Sequence, residues 1–377
     1  MDQREVLEAV AAVGDRFAGE RHERQGRTTL DRADFDALGG AGFLLTGVPA
    51  ADGGLWDGPE RTTRPVVALL RAIARGDSSV ALVSAMHPAV LSYWLAAPEP
   101  AGAGRAAWRS QVEEVTGRAA AGDWWGTITS EPGSGGDITR SRATAVPDGD
   151  GGWRVSGAKH FGSGLGVMDW MVTTARPEGE ESADWFFIPA RGLPEGGGGR
   201  ARLVARWDGH GMAATNSHAM AFEGYPATRM AGQGDMVAIS RAAGPFIGCL
   251  FTAVVAGIVD VAMETARERL RGAREPLGPY QQVEWANAEN EAWLIEQALD
   301  GMIRAVETRP APLLDVLRGK TVVSGLAESV LTRLSRAIGG ATFSRSSPFG
   351  TWFEDVRALG FLRPPWNLAY DQLIAGL

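Results

Sequence analysis

From about Gly122 to Gly232 the chain is rich in Gly, Thr, Ser, Trp and Val, set in short runs such as Gly126-Thr-Ile-Thr, Trp153-Arg-Val-Ser and Asp169-Trp-Met-Val-Thr-Thr. Runs of β-branched and aromatic residues cut every few positions by Gly, Pro or Asp predict short strands, here antiparallel strands of a small barrel or sandwich. Pro194-Glu-Gly-Gly-Gly-Gly-Arg200 reads as a loop within that block. The flanks are different. Residues 2–24, 31–38, 65–74 and 78–95 ahead of the block, and 257–273, 285–306 and 312–338 after it, carry apolar residues at helical spacing. A chain of 377 residues also exceeds what one hydrophobic core usually organises, about 250–300 residues. The expected fold is therefore α+β and mainly α: an N-terminal helical domain (1–120), a middle β-barrel (121–232) and a C-terminal helical bundle (233–377).

Charge and cysteine content remove several functions. The net charge is −8 and no stripe of Lys and Arg is present, which argues against a nucleic-acid partner. The single cysteine, Cys249, excludes a disulfide framework and a cysteine-based metal site within one chain. Its apolar neighbours predict a buried packing residue. The first residues lack the apolar run of a secretory signal. The most apolar run, 245–259, falls short of the ~20 residues that span a bilayer and predicts a helix buried in protein, so no membrane partner is expected. The expected location is the cytoplasm.

The chemistry-bearing residues cluster in the β-rich block. Ser130-Glu131-Pro132-Gly133-Ser134-Gly135-Gly136-Asp137 follows a β-prone run, and glycines there let backbone N–H groups approach a phosphate or a heterocycle. A Gly-rich loop by itself also fits a plain turn. Further on come Val155-Ser-Gly-Ala-Lys159-His160-Phe161-Gly-Ser163-Gly164, then Trp207-Asp-Gly-His-Gly-Met212 and Thr215-Asn-Ser217. This ordered series resembles the acyl-CoA dehydrogenase superfamily, with its Thr-Glu-Pro-Gly-x-Gly-Ser-Asp loop, its Gly-x-Lys-x-Trp-Ile-Thr element and its Gly-Met-Arg-x-Thr-x-Ser element. The likeness extends to the Pro49–Gly54 turn, the Gly76-Asp77-Ser78-Ser79 helix start, Gly339-Gly340 and Pro348.

The resemblance implies an N-terminal helical domain, a middle barrel and a C-terminal four-helix bundle, assembled as a homodimer or homotetramer. It implies FAD, rather than FMN, between barrel and bundle. Thr127, Thr129 and Ser130 would line the isoalloxazine edge or the ribityl chain, beside Gly135 and Gly136 of the Gly-rich loop. Phe161 and Ser163 match the Trp and Thr next to the reactive flavin nitrogen, where a donor stabilises charge on the reduced ring. In the partner subunit, Arg274, Gln281, Gly339 and Gly340 would hold the pyrophosphate and adenosine end.

The likeness breaks where the base should be. An ordinary dehydrogenase needs a carboxylate reaching the α-proton, yet neither Phe361-Leu-Arg-Pro-Pro-Trp-Asn367 nor the stretch 239–249 contains one. Gly136, Ala213 and Glu354 also replace the Ser, Arg and Arg common at those positions, which puts coenzyme A in doubt as the carrier. Two enzymatic readings follow: oxidation of an acyl thioester or a β-keto acid, the latter needing no base because decarboxylation generates the enolate, and oxygenation of a small molecule with reduced flavin from a separate reductase. A third is a non-catalytic scaffold of the same fold. His87, His160 and Ser163 are the candidate catalytic groups. Period-two alternation along a strand predicts that only one of His160 and Phe161 faces the flavin.

Overall fold

The computed structural model describes residues 2–102, 104–193, 196–272 and 275–375. Six helices come first: α1 (Gln3–Gly19), α2 (Arg21–Arg24), α3 (Arg32–Gly40), α4 (Gly58–Gly76), α5 (Ser78–Leu95) and α6 (Gly104–Ala120). Local chemistry sets their starts. Asp2 and Glu5 form a reciprocal capping box on α1, and the Asp77 carboxylate accepts from the Val80 N–H at the start of α5. Nearly every side chain of α5 is buried, so its apolar run wraps the whole helix rather than one face.

Seven strands follow: β1 (Trp125–Thr127), β2 (Thr144–Pro147), β3 (Trp153–Gly162), β4 (Trp170–Pro177), β5 (Asp184–Pro189), β6 (Ala201–Ala205) and β7 (His218–Arg229). Pairings run β4–β5, β5–β7, β7–β3, β3–β2 and back from β2 to β4, which closes a ring and leaves β1 and β6 as attachments. Closure removes the exposed edges of an open sheet. The barrel is antiparallel except where β1 and β2 run parallel to β4. Both reach β4 through long connections instead of tight hairpins, so the turn geometry does not impose direction.

Adjacent tryptophans fasten the barrel to the helices. Trp124 packs against Phe35 and Phe43, while Trp125 packs against Trp94, Trp170 and Phe187. Both are essentially fully buried, and burial of each such ring stabilises the join by about 1.5–3 kcal/mol.

Beyond the barrel lie α7 (Met236–Arg271), α8 (Pro279–Thr308), α9 (Leu313–Ile338), α10 (Pro348–Val356), α11 (Ala358–Phe361) and α12 (Trp366–Ala375). The apolar run 245–259 is only part of α7, which has 36 residues and is long and apolar enough by length and composition to cross a membrane. It is nevertheless a core helix: its most apolar stretch is 78% buried, against α4, α5 and α9 among others. Cys249 lies on it, buried, with its thiol pushed up to about 12 by desolvation. The C-terminal bundle is made by α7, α8 and α9, with α10 packed on α7 and α9.

Candidate functional site

The Gly-rich loop is held from beneath by one buried ion pair. Lys159 on β3 is fully buried and places Nζ 2.5 Å from Glu131 Oε1 and 2.5 Å from the Thr174 carbonyl. Glu131 also accepts from the Arg142 N–H (2.7 Å), the Ala143 N–H (3.2 Å) and the Ser141 hydroxyl. Burial alone would raise the Glu131 pKa, but Lys159 and Ser141 outweigh it and hold the carboxylate below its usual range. Burial pushes Lys159 down to about 8 against the pull of Glu131, so it keeps its proton at neutral pH. The pair ties β3 to the loop 131–137 and is structural.

Four segments then converge. The Ser130 carbonyl accepts from the His160 N–H at 2.8 Å, joining the end of β1 to β3. Phe161, the penultimate residue of β3, sits at φ +56°; the residue is 55% exposed, and its ring centroid is 6.0 Å from that of Trp207. That left-handed residue breaks the alternation expected for His160 and Phe161, and the register of β3 against β7 slips between Lys159 and Gly162. A non-glycine held at positive φ is uncommon and costs about 1–3 kcal/mol. Here it turns an aromatic face outward.

Ser163 is buried, with Oγ 2.7 Å from Ser217 Oγ, which is 2.7 Å from Thr215 Oγ1; the Thr215 hydroxyl donates to the Met212 carbonyl at 2.8 Å. A carbonyl only accepts, so a single assignment of three protons satisfies all three contacts: Thr215 donates to Met212, Ser217 to Thr215, Ser163 to Ser217. The Ser163 proton is committed to Ser217, which leaves its oxygen able to act as an acceptor.

The fourth segment is the strap between α11 and α12. Lys320 on α9, 4% exposed, donates to the carbonyls of Leu362 (2.7 Å) and Pro364 (2.6 Å), tethering the backbone on both sides of Arg363. Burial pushes Lys320 down to about 8. The Arg363 guanidinium donates to the Thr129 hydroxyl. Gly136, at φ +86°, runs under the strap so closely that a Cβ there would meet Pro365 at 3.0 Å. A side chain at Gly136, such as the serine common in the superfamily, would be strained by the positive φ and would press on Pro365.

The other expected site residues lie apart from this group. His87 is fully buried: its Nε2 is 3.1 Å from the Leu44 carbonyl and its Nδ1 accepts from the Trp125 N–H at 3.3 Å. Desolvation pushes its pKa down to about 4. Both nitrogens are committed to backbone, so His87 is a neutral structural histidine at the barrel–helix join and not a catalytic group. Gln281 accepts from the Gly278 N–H at 3.0 Å and donates to the Ala337 carbonyl at 2.8 Å, which sets it beside Gly339 and Gly340 in a second cluster on α8 and α9. Space around both glycines is open. Arg274 lies outside the described residues, as do Pro194 and Glu195 of the predicted Gly-rich loop.

Arg363 and Lys320 did not stand out as site residues in the sequence, and Thr215 and Ser217, though part of a motif there, gave no sign of their link to Ser163. The signal for Arg363 was present, because it occupies the stretch inspected for a carboxylate. Asp355 was also missed. It is 2% exposed, accepts from the Met212 N–H at 2.6 Å and from the Ser78 hydroxyl, and anchors the 212–217 segment to the bundle.

This geometry suits a flat heterocycle. It offers an exposed aromatic residue at Phe161, a Cβ-free approach at Gly135, and a hydroxyl at Ser163 anchored by Ser217.

Comparison with known proteins agrees with the architecture. No family model matches the chain. A dibenzothiophene monooxygenase of Mycolicibacterium goodii is 29% identical over 283 residues, 69% of this chain but only 60% of that enzyme. The amino sugar nitrososynthase RubN8 of Streptomyces rubradiris is 29% identical across 89% of this chain and 80% of its own length. The putative acyl-CoA dehydrogenase YdbM of Bacillus subtilis (strain 168) is 25% identical, covering 99% of this chain and 96% of its own. Among solved structures, butyryl-CoA dehydrogenase from Megasphaera elsdenii superposes with TM-score 0.84 at 17% identity, over 100% of this chain and 99% of that one. KijD3, in complex with FMN and a dTDP-amino-keto sugar, superposes with TM-score 0.81 at 22% identity, over 99% and 93%. The chain has the acyl-CoA dehydrogenase fold and is similar in sequence to flavin-dependent oxidoreductases built on it.

Proposed function

We propose that the protein is a flavin-dependent monooxygenase acting on a small molecule, with reduced flavin supplied by a separate reductase. The observation that carries this reading is the strap: where an α-proton-abstracting carboxylate would stand, Lys320 holds Arg363 against Thr129. A guanidinium stays protonated in proteins and cannot take an α-proton. The oxygenase and nitrososynthase relatives point the same way.

A bound reduced flavin would supply two electrons to molecular oxygen, one oxygen atom passing to the substrate and the other leaving as water. Thr127, Thr129, Ser130, Gly135, Gly136, Phe161 and Ser163 are the residues that would hold its ring and ribityl chain. The acceptor oxygen of Ser163 suits an N–H, which the reduced ring presents and the oxidised ring lacks. Gln281, Gly339 and Gly340 would hold the far end of the flavin bound mainly by a second protomer. Exposed Tyr280, Val283 and Phe343 beside them support burial of this cluster in a homo-oligomer.

Anaerobic mixing of the flavin-loaded protein with butyryl-CoA is expected to leave the visible flavin band intact. Aerobic mixtures with NADH, a flavin reductase and a panel of dibenzothiophene, indole and an aminosugar nucleotide are expected to yield a product carrying one atom of labelled oxygen gas. Bleaching by the thioester without oxygen would overturn the reading in favour of dehydrogenation. The cofactor placement has its own test. Phe161→Ala combined with Ser163→Ala is expected to weaken flavin binding by about tenfold, through loss of ring contact and of one hydrogen bond. Unchanged flavin content in that double variant would count against it.

A further inference from the structure

We propose that Arg363 is the specificity-determining residue of the substrate pocket and binds an oxyanion, carboxylate or phosphate, carried by the small molecule that is oxidised. The inference deepens the monooxygenase reading and rests on its placement of the flavin beside Thr129.

Its first support is an uncompensated cation. Among the described residues, the guanidinium has one side-chain hydrogen-bond partner, the neutral hydroxyl of Thr129. The residue is half-buried; its partial desolvation lowers its pKa from the ordinary value, and the one group opposing that shift is the buried phenol of Tyr93, not a carboxylate. Lys159 feels the charge as well, since Arg363 helps to lower its pKa. Two arginines whose side chains are almost fully buried are each paired with acids: Arg24 with Asp34 and Asp77, and Arg229 with Glu180 and Asp184. A guanidinium taken from water without an anion is costly, and it becomes favourable when an anion completes it.

The second support is that the residue is held in place. Lys320 spends two N–H donors on the carbonyls flanking Arg363, and the strap rests on the glycine backbone at Gly136. One guanidinium nitrogen, Nη1, is used on Thr129. The remaining donors of the planar fork fit two oxygens of a carboxylate or phosphate. A backbone fixed on both sides lowers the ordering cost of that contact. Arg363 is thus a binding group, set where it orients an anionic substrate against the flavin-lining loop.

The test uses flavin-loaded protein titrated separately with benzoate, inorganic phosphate and, as control, chloride, followed by the visible flavin band and by calorimetry. Benzoate or phosphate is expected to bind saturably and chloride not; the one that binds identifies the oxyanion class. Arg363→Gln is expected to weaken that binding by about tenfold or more, with Arg363→Lys intermediate and flavin affinity unchanged. Equal anion binding by wild type and Arg363→Gln overturns the proposal, as does no saturable binding of either oxyanion. A large loss of flavin affinity in Arg363→Gln also overturns it, by assigning the residue to the cofactor. If wild type binds no flavin, the cofactor reading fails on its own, and calorimetric anion binding that depends on Arg363 still stands as a separate result.

Discussion

Lys159→Met is expected to cost about 3–5 kcal/mol of folding stability, the usual consequence of leaving one member of a buried ion pair without its partner. The variant leaves Glu131, which is 9% exposed, without its cation and frees the Thr174 carbonyl that Lys159 meets at 2.5 Å. Because Glu131 also receives the N–H groups of Arg142 and Ala143, adding Glu131→Leu is expected to restore only part of the loss. Urea unfolding of the two variants and the wild type checks both statements. The loop 131–137 should loosen first, so flavin affinity is expected to fall with stability. A midpoint within error of wild type for Lys159→Met would show that the pair does not hold the loop.

The second large effect is a pH dependence with an unusual sign. Burial raises the Asp355 carboxyl from 3.8 to about 6, with Asp77 and Glu354 adding to the rise and Ser78 and the Met212 N–H opposing it. The folded state therefore holds a proton that the unfolded state has released between about pH 4 and 6. Stability contributed by this group is present below that window and lost as pH rises through it. At about 1.36 kcal/mol per pKa unit the loss approaches about 3 kcal/mol. Asp355→Asn keeps an oxygen for the Met212 N–H and offers an N–H to Ser78. It is expected to flatten the slope between about pH 4 and 6 and to raise stability above that range. Urea midpoints at about pH 4, 6 and 7 measure this. A variant less stable than wild type at about pH 7 would mean that the ionised carboxylate is needed there, for instance by Arg24 through Asp77.

Much of the fold was legible because its signals are local. The change from helical spacing to short β-branched runs near Gly122, and back near Met236, predicts helices, a barrel and helices from neighbouring residues alone. The Ser130–Asp137 loop and the Lys159–Ser163 element could likewise be read in order. Where the reading failed, the deciding contacts are distant. His87 looked like a candidate acid or base until Leu44 and Trp125 took both of its nitrogens. His160 and Phe161 were expected to alternate, and a single left-handed residue rotated the second of them outward.

The sequence by itself determined the order of elements, the place of the Gly-rich loop and the absence of a carboxylate from 361–367, since each depends only on residue types and short-range spacing. Tertiary structure alone decided what fills that gap. Arg363 meets Thr129 across 234 residues because Lys320 of a third segment fixes the strap. The direction of the Ser163 proton likewise follows from Met212, Thr215 and Ser217. A hydrogen bond is set by geometry between groups that folding brings together, and no local pattern encodes which two will meet.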